Sequence, residues 1–188
     1  MASTQSLYAA DGRRAGYAPA MRWLHWITAL LIVAMFALAI WFKAFDPGDG
    51  PLKAMLYNLH ESIGVTIWVL VLVRIVVRLA TGAPKLPVGT PGAVRLLATL
   101  NHIALYLVLL VQPVIGVLVA NAWVGPLQWF GLFPIPALIG KQPESVGHNL
   151  DYLHSLGALA LLLLLILHVA GALYHATVRR DGVIRHMA

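Results

Sequence analysis

The sequence predicts an all-α integral membrane protein whose helices form a four-helix bundle. Hydrophobic residues make up 60% of the 188 positions and charged residues only 11%. A helix of roughly 20 apolar residues crosses about 30 Å of hydrocarbon, and lipid forces each backbone amide to pair within its own segment. Four apolar runs reach that length, at about 23–42, 60–80, 98–121 and 152–176. We therefore expect one domain over residues 1–188, with a polar tail at 1–20 and an outer loop at about 122–150.

Most of the basic residues fall on one side of the predicted membrane. Ten of the thirteen Lys and Arg lie before the first run, between the second and third, or after the fourth. The positive-inside rule makes these segments cytoplasmic, so both termini are expected to face the cytoplasm. Topology thus accounts for the net charge of +6, and no nucleic-acid partner is expected. The opposite segments hold only Lys43, Lys53 and Lys141 against five acidic residues.

The first two runs carry polar groups near their ends. Residues 22–26 read RWLHW, in which Arg22 and the paired tryptophans are typical interfacial anchors around His25. The Pro/Gly/Asp-rich stretch KAFDPGDGP then indicates a tight outer loop. The second run starts at NLHESIG, which contains His60, and leaves the membrane through Arg74 and Arg78, one turn apart. A Pro/Gly-rich connection, residues 81–92, follows.

The last two runs are more irregular. The third has His102 near its start, and Pro113 near its middle should kink it and free a carbonyl for a polar partner. The segment at about 122–150 is rich in aromatic residues and proline, and we interpret it as an amphipathic cap on the outer surface. The fourth run contains His154 and His168, and His175 stands at its cytoplasmic end.

Histidines inside lipid-length runs are costly unless they have partners, and they mark functional sites. His154 and His168 are fourteen residues apart, which puts them on one helix face about 21 Å apart along the axis. Because odd and even runs cross in opposite directions, His60 shares the outer level with His154 and His25 shares the inner level with His168. His148 and His186 fall in the loop and the tail, where solvated polar residues are the simpler interpretation.

Two imidazoles from facing helices at each level suit a b-type haem. Zinc needs three or four converging ligands, and the absence of cysteine excludes thiolate sites, iron–sulfur clusters and covalently attached haem. A porphyrin face also needs small residues three or four positions after its ligand. His60, His154 and His168 are followed by Gly64, Gly157 and Gly171, and His25 by Thr28 and Ala29, whereas His102 and His175 have bulky residues there. The alternative is that small residues serve only close helix packing.

The remaining polar residues at the inner level have two interpretations each. Arg74 and Arg78 either pair with haem propionates or only anchor the helix end. His175, which shares the face of His168, and His102 are either proton carriers at a quinone site or interfacial residues in contact with water. His175 is the better quinone candidate.

The motifs RWLHW, NLHESIG, VRIVVRL, NHIALYLVLLVQPVIG, LHSLGA and LHVAGALYH together resemble the bacterial cytochrome b561 family over most of the chain. The resemblance implies a bacterial inner-membrane protein with two haem b groups, held by His60 and His154 near the outer face and by His25 and His168 near the inner face. It also implies electron transfer from superoxide outside to ubiquinone, with a quinone position near His175.

Two other functions stay open. The first is a cytochrome b electron-transfer subunit that links a partner dehydrogenase or hydrogenase to the quinone pool. The second is a metal or haem transporter that uses the histidines as a path. The outer segments carry a net charge of −2, from three Lys and five acidic residues, which does not steer a superoxide anion inward over distance.

Overall fold

The computed structural model describes residues 16–45, 48, 50–84, 86–87 and 89–187. Its helices are α1 (Pro19–Phe45), α2 (Pro51–Thr81), α3 (Gly92–Trp123) and α4 (Glu144–Tyr174). Each contains a stretch long and apolar enough to cross a membrane. This confirms the predicted membrane bundle. Residues 1–15 of the predicted tail lie outside the described residues, as do Lys85, Asp46 and Asp49 among the charges used for topology.

All four helices extend beyond the apolar runs. α2 begins at Pro51, where the fixed φ of proline suits a first helical position. α4 begins at Glu144, directly after Pro143, and the Glu144 carboxylate lies in the first turn, where it complements the helix dipole. The outer loop predicted at 122–150 is therefore shorter, because α3 continues to Trp123 and α4 starts before residue 152. Hydropathy predicts the part of a helix that lies in lipid. It does not predict the residues at which the backbone hydrogen bonds of the helix end.

Sequence neighbours pack side by side, α1 on α2, α2 on α3 and α3 on α4. The buried centre is a layer of aliphatic side chains from all four helices, among them Ile32, Ile67, Val71, Leu109 and Leu161. Most other large apolar side chains are exposed on the outside of the bundle. Lipid supplies the partner for that surface, as expected of helices in a bilayer.

A short β-hairpin stands where an amphipathic cap was expected. Strand β1 (Leu127–Trp129) pairs antiparallel with β2 (Phe133–Ile135) through a turn in which Phe130 has a φ of 48°. The Ser62 hydroxyl on α2 accepts a hydrogen bond from the Phe130 amide at 2.7 Å and donates to the Gln128 carbonyl at 3.3 Å. The Trp129 indole donates to Thr66, one turn further along α2. Aromatic and proline content indicated an interfacial segment but not its strand pairing.

Pro113 lies inside α3, as predicted. The carbonyl of Leu110, three residues before Pro113, accepts a hydrogen bond from the Trp68 indole at 3.0 Å. This bond ties α2 to α3 in the middle of the bundle. It also satisfies an indole N–H that would otherwise be buried without an acceptor.

We call the end of the bundle with Pro19, Thr81, Gly92 and Tyr174 the terminal end, and the opposite end the hairpin end. At the terminal end α4 continues as a π-helical turn, His175–Arg179, followed by a 3₁₀ turn, Val183–His186. The His186 carbonyl accepts from the Tyr17 amide, and the Met187 carbonyl accepts from the Trp26 indole at 2.9 Å. The C-terminal segment therefore folds back onto the start of α1.

Candidate functional site

The four histidines proposed as ligands form two pairs. The rings of His25 on α1 and His168 on α4 have centres 6.2 Å apart at the terminal end. The rings of His60 on α2 and His154 on α4 have centres 6.3 Å apart at the hairpin end. Both pairs are partly buried inside the bundle. The structure thus has the helix pairing and the two levels that the sequence predicts.

The separation of the rings is suited to a metal ion between them. An imidazole nitrogen ligates a transition metal at about 2.0–2.1 Å, and the ring centre lies about 1 Å behind it, so two rings on opposite sides of one ion have centres roughly 6 Å apart. Both pairs have that spacing, 6.2 and 6.3 Å. Direct ring stacking or a hydrogen bond between the rings would bring them closer.

The backbones leave room at both pairs. α4 packs closely on α3, but among the described residues its backbone makes few close approaches to α1 or α2. The histidine rings bridge these two gaps. In addition, Nδ1 of His60 and Nδ1 of His154 are buried without a hydrogen-bond partner in the described part of the chain. Buried polar atoms without a partner are uncommon in proteins, and here they show that no hydrogen bond from the described residues fixes either ring at Nδ1. The residues fit a bis-imidazole haem.

The small residues near the histidines serve different purposes. At Gly171 a Cβ would meet nothing within 4 Å, and at Gly64 it would meet only the Met35 methyl at 3.6 Å. At Gly157 a Cβ would collide with the Gln112 side chain of α3, so this glycine allows α3 and α4 to pack closely, as in the alternative interpretation. Sequence reasoning missed Gly116, where a Cβ would lie 3.1 Å from His154 Cε1. Its motif, QPVIG, contained it but gave no signal that it faces a ligand.

Arg74 contacts the pair formed by His25 and His168, which we call the inner pair after its predicted level. One of its guanidinium nitrogens lies 3.3 Å from His25 Nδ1, its Cζ stands 5.6 Å from the centre of the Tyr106 ring, and its Nε is buried with no partner among the described residues. Arg78 instead donates to the Tyr17 hydroxyl at 3.2 Å. Arg74 is therefore more than an anchor at the helix end, whereas Arg78 ties α2 to the segment before α1.

His102 joins the inner pair as a third imidazole. Its ring centre lies 5.1 Å from that of His168, with the two rings nearly perpendicular. Its Nδ1 donates to the Ala98 carbonyl one turn back at 2.6 Å, which fixes the proton on Nδ1 and leaves Nε2 as an acceptor. The residues after His102 predicted that it is not a ligand, but they did not predict that it contacts one.

His175 is the most buried histidine, with only 6% of its surface exposed. Its Nδ1 lies 2.7 Å from Asp181 Oδ2, and this carboxylate also accepts a hydrogen bond from Arg179 at 2.8 Å. His175 is therefore not an interfacial residue in open contact with water. Its partner Asp181 was missed, because it lies in the polar tail beyond the apolar run.

The pair formed by His60 and His154, which we call the outer pair after its predicted level, has two acidic residues close by in sequence. Glu61 directly follows His60, and Asp151 lies one turn before His154 on α4, where it accepts a hydrogen bond from the Trp123 indole at 3.0 Å. The exposed ring of His148 packs edge to face on Trp123 at 5.2 Å, away from the outer pair. His186 is part of the C-terminal segment and contributes its carbonyl to the contact with Tyr17. Neither of these histidines joins the two pairs.

Known proteins are similar to this chain over most of its length. Residues 16–188 match the family model described as prokaryotic cytochrome b561. The chain is 32% identical over 168 residues to cytochrome b561 homolog 2 of Escherichia coli K12, covering 87% of this chain and 86% of that protein. It is 27% identical over 175 residues to the probable superoxide oxidase CybB of Yersinia pestis, covering 87% of this chain and 90% of that protein.

Proposed function

The chain belongs to the prokaryotic cytochrome b561 family, and from this premise we propose that it is a membrane oxidoreductase with two haem b groups. The family implies haem b binding and membrane electron transfer. In our proposal His60 and His154 ligate the outer haem, and His25 and His168 ligate the inner one. The observation that carries it is the pair of ring separations, 6.2 and 6.3 Å, at two levels of one bundle.

When bound, each haem would accept and release one electron at a time, which is chemistry that the side chains of this protein do not supply. The protein holds the two groups in apolar gaps, and His154 and His168 fix their heights about 21 Å apart along α4. Electrons can then cross most of the bilayer within one chain. The surrounding helices keep water away from that path.

Arg74 and Arg78 are proposed to neutralise the propionates of the inner haem. A histidine that ligates iron through Nε2 carries its proton on Nδ1, so Nδ1 of a ligated His25 no longer accepts a hydrogen bond from Arg74. The Arg74 donor then needs another acceptor, and a carboxylate is the matching one. The unpaired Nε of Arg74 supports this role.

We propose superoxide as the electron donor and ubiquinone as the acceptor. The likeness to a probable superoxide oxidase supports the donor, and the buried His175 at the terminal end supports the acceptor. Two superoxide anions each lose one electron and become dioxygen. The two electrons, with two protons from the terminal side, convert ubiquinone to ubiquinol. The predicted topology puts the hairpin end outside and both termini in the cytoplasm of a bacterial cell.

A second candidate is an electron-transfer subunit fed by a partner dehydrogenase or hydrogenase. Asp151 near His154 favours it, because a fixed negative charge repels an anionic donor and attracts a basic protein surface. Lys141 is exposed in the segment before α4 and is one local counter-charge that favours superoxide.

The first test is a reduced-minus-oxidised visible spectrum of purified protein with a measured haem-to-protein ratio. We expect a ratio near two and split α bands, whereas a colourless protein purified after growth with ample haem would favour a transporter. Stopped-flow addition of superoxide with and without ubiquinone then separates the donors. Superoxide oxidation that depends on ubiquinone supports the first candidate. No turnover without a co-purified redox partner supports the second.

A further inference from the structure

A compact charged cluster closes the terminal end of α4. The helix changes to a π-helical turn at His175–Arg179, and Arg180 and Gly182 then adopt positive φ values of 50° and 79°. These turns reverse the chain and bring Asp181 back to His175. π-Helical turns inside helices are frequently found at functional sites.

The Asp181 carboxylate is held on both oxygens. Its Oδ2 accepts hydrogen bonds from His175 Nδ1 at 2.7 Å and Arg179 Nε at 2.8 Å, and its Oδ1 accepts from the Val183 amide at 3.3 Å. Burial alone would raise the pKa of Asp181, but the hydrogen bonds from Arg179 and His175 outweigh it and lower that pKa from 3.8 to about 2. Asp181 is therefore ionised at neutral pH.

An ionised acceptor at Nδ1 decides how His175 can act. It keeps the proton on Nδ1, so Nε2 becomes the nitrogen that serves another partner. No hydrogen bond joins His175 Nε2 to any residue in the described part of the chain. Carboxylates that hold one nitrogen of a histidine in this way fix its tautomer and stabilise its protonated form.

The cluster is also fixed to its surroundings. Arg179 donates to the Gly89 carbonyl in the connection before α3 at 3.3 Å, so the turn is held from a second element. The charged and titratable groups that face His175 are Asp181, Arg179 and the ring of Tyr174, whose centre lies 5.8 Å away. Their geometry leaves His175 little freedom to rotate.

We propose that Asp181 is a positioning residue for quinone reduction, which orients His175 so that its Nε2–H donates a proton to a quinone carbonyl oxygen. This rests on the proposed reduction of quinone beside His175. The step occurs twice in each reduction. Each time the Nε2–H bond breaks, an O–H bond forms on the quinone, and one electron would come from the haem that His25 and His168 would hold. Water at the terminal end returns the proton to His175. Asp181 keeps its negative charge throughout and balances the imidazolium.

The competing interpretation is that Asp181 only fastens the C-terminal segment. A positioning role and a fastening role differ in their pH dependence. Without the Asp181 carboxylate the protonated imidazole of His175 loses its counter-charge, so a positioning role predicts that the pH profile of quinone reduction moves to lower pH. A fastening role would change stability or haem content and leave that profile in place.

The experiment measures oxidation of the pre-reduced, haem-loaded protein by a short-chain ubiquinone, as a function of pH and quinone concentration. We expect Asp181→Asn to lower the maximal rate by roughly 10–100-fold, to leave KM nearly unchanged and to move the pH profile to lower pH. Asp181→Glu should restore part of the rate. Arg180→Gln is the matched control, because Arg180 is exposed and bonds only to the Thr177 carbonyl of its own turn.

Three results would overturn the proposal in distinguishable ways. An unchanged rate and pH profile in a fully haem-loaded Asp181→Asn protein removes Asp181 from the reaction. If that variant loses haem, the rate of the haem-loaded Asp181→Glu protein is measured instead. A maximal rate equal to that of the parent protein, although the carboxylate has moved, rejects the proposal. If His175→Gln reduces quinone normally, the failure belongs to the proposed quinone position itself.

Discussion

Gly116 offers a test of the outer histidine pair that leaves every ligand in place. The substitution Gly116→Ala puts a Cβ 3.1 Å from His154 Cε1, whereas carbon atoms in good contact lie about 3.5–4.0 Å apart. The ring of His154 must therefore retreat by about half an ångström. α3 and α4 pack closely, so the helices cannot absorb the whole displacement.

Overpacking of this kind costs about 1–3 kcal/mol. If the whole cost falls on haem binding, the affinity for a haem between His60 and His154 drops by roughly 5- to 150-fold. We expect Gly116→Ala to lower the outer haem content or shift the midpoint potential of one of two transitions in a spectroscopic redox titration. The inner transition should stay in place, because the three atoms nearest to the added Cβ all belong to His154.

Gly92→Ala is the matched control, since an added Cβ there meets nothing within 4 Å in the protein. Gly92 lies in the first turn of the same helix, α3, about 36 Å from Gly116 along the helix axis. A Gly116→Ala protein in which the inner transition moves, or in which both transitions move equally, would refute the assignment of the outer pair. So would a variant whose titration cannot be distinguished from that of the parent protein.

Four further substitutions and one titration test other contacts. His168→Ala should reduce the haem-to-protein ratio from two to one, whereas His102→Ala should leave it at two, and loss of a haem in the latter would make His102 a ligand. Gln112→Leu removes the hydrogen bond from Gln112 Nε2 to the His154 carbonyl, and we expect a loss of about 1–2 kcal/mol, measured as a lower midpoint of thermal unfolding. Ser62→Ala removes the two hydrogen bonds between Ser62 and the β-hairpin and should speed protease cleavage near Gly131 without changing the haem spectrum. The lowered pKa of Asp181 means that its pairing with His175 and Arg179 is fully present above about pH 4 and is lost as pH falls towards 2, so the fluorescence of Trp26, which is bonded to Met187, should change only in that window.

Hydropathy and helical periodicity predicted the levels of the histidines, because depth in a membrane follows from distance along a helix. They could not predict how far each helix is rotated about its axis. That rotation puts His102 against His168 and turns Gly157 towards Gln112 instead of towards a haem slot. Rotation is set by side-chain packing between helices, and a single sequence does not reveal it.

The polar segments were harder to predict. The sequence between α3 and α4 indicated a surface segment, but its hairpin depends on hydrogen bonds to Ser62 and Thr66, which are some 65 residues earlier in the chain. Asp181 was missed for a different reason. It contacts His175 through a π-helical turn and two positive φ values, and composition alone gave no sign that the helix would end in that way.

The positions of the two histidine pairs and of the charged cluster have a joint consequence for charge movement. The terminal end holds His25, His168, Arg74 and the cluster around His175, so in the proposed reaction electrons that arrive there would meet their protons on the same side. In that proposal the electrons start at the hairpin end, about 21 Å away along α4. Because no proton needs to accompany them through the bundle, each electron that crosses moves a full negative charge over most of the bilayer. In the predicted orientation, turnover would therefore add to a membrane potential that is negative in the cytoplasm, and the acidic side chains near His60 and His154 would determine which donors can start it.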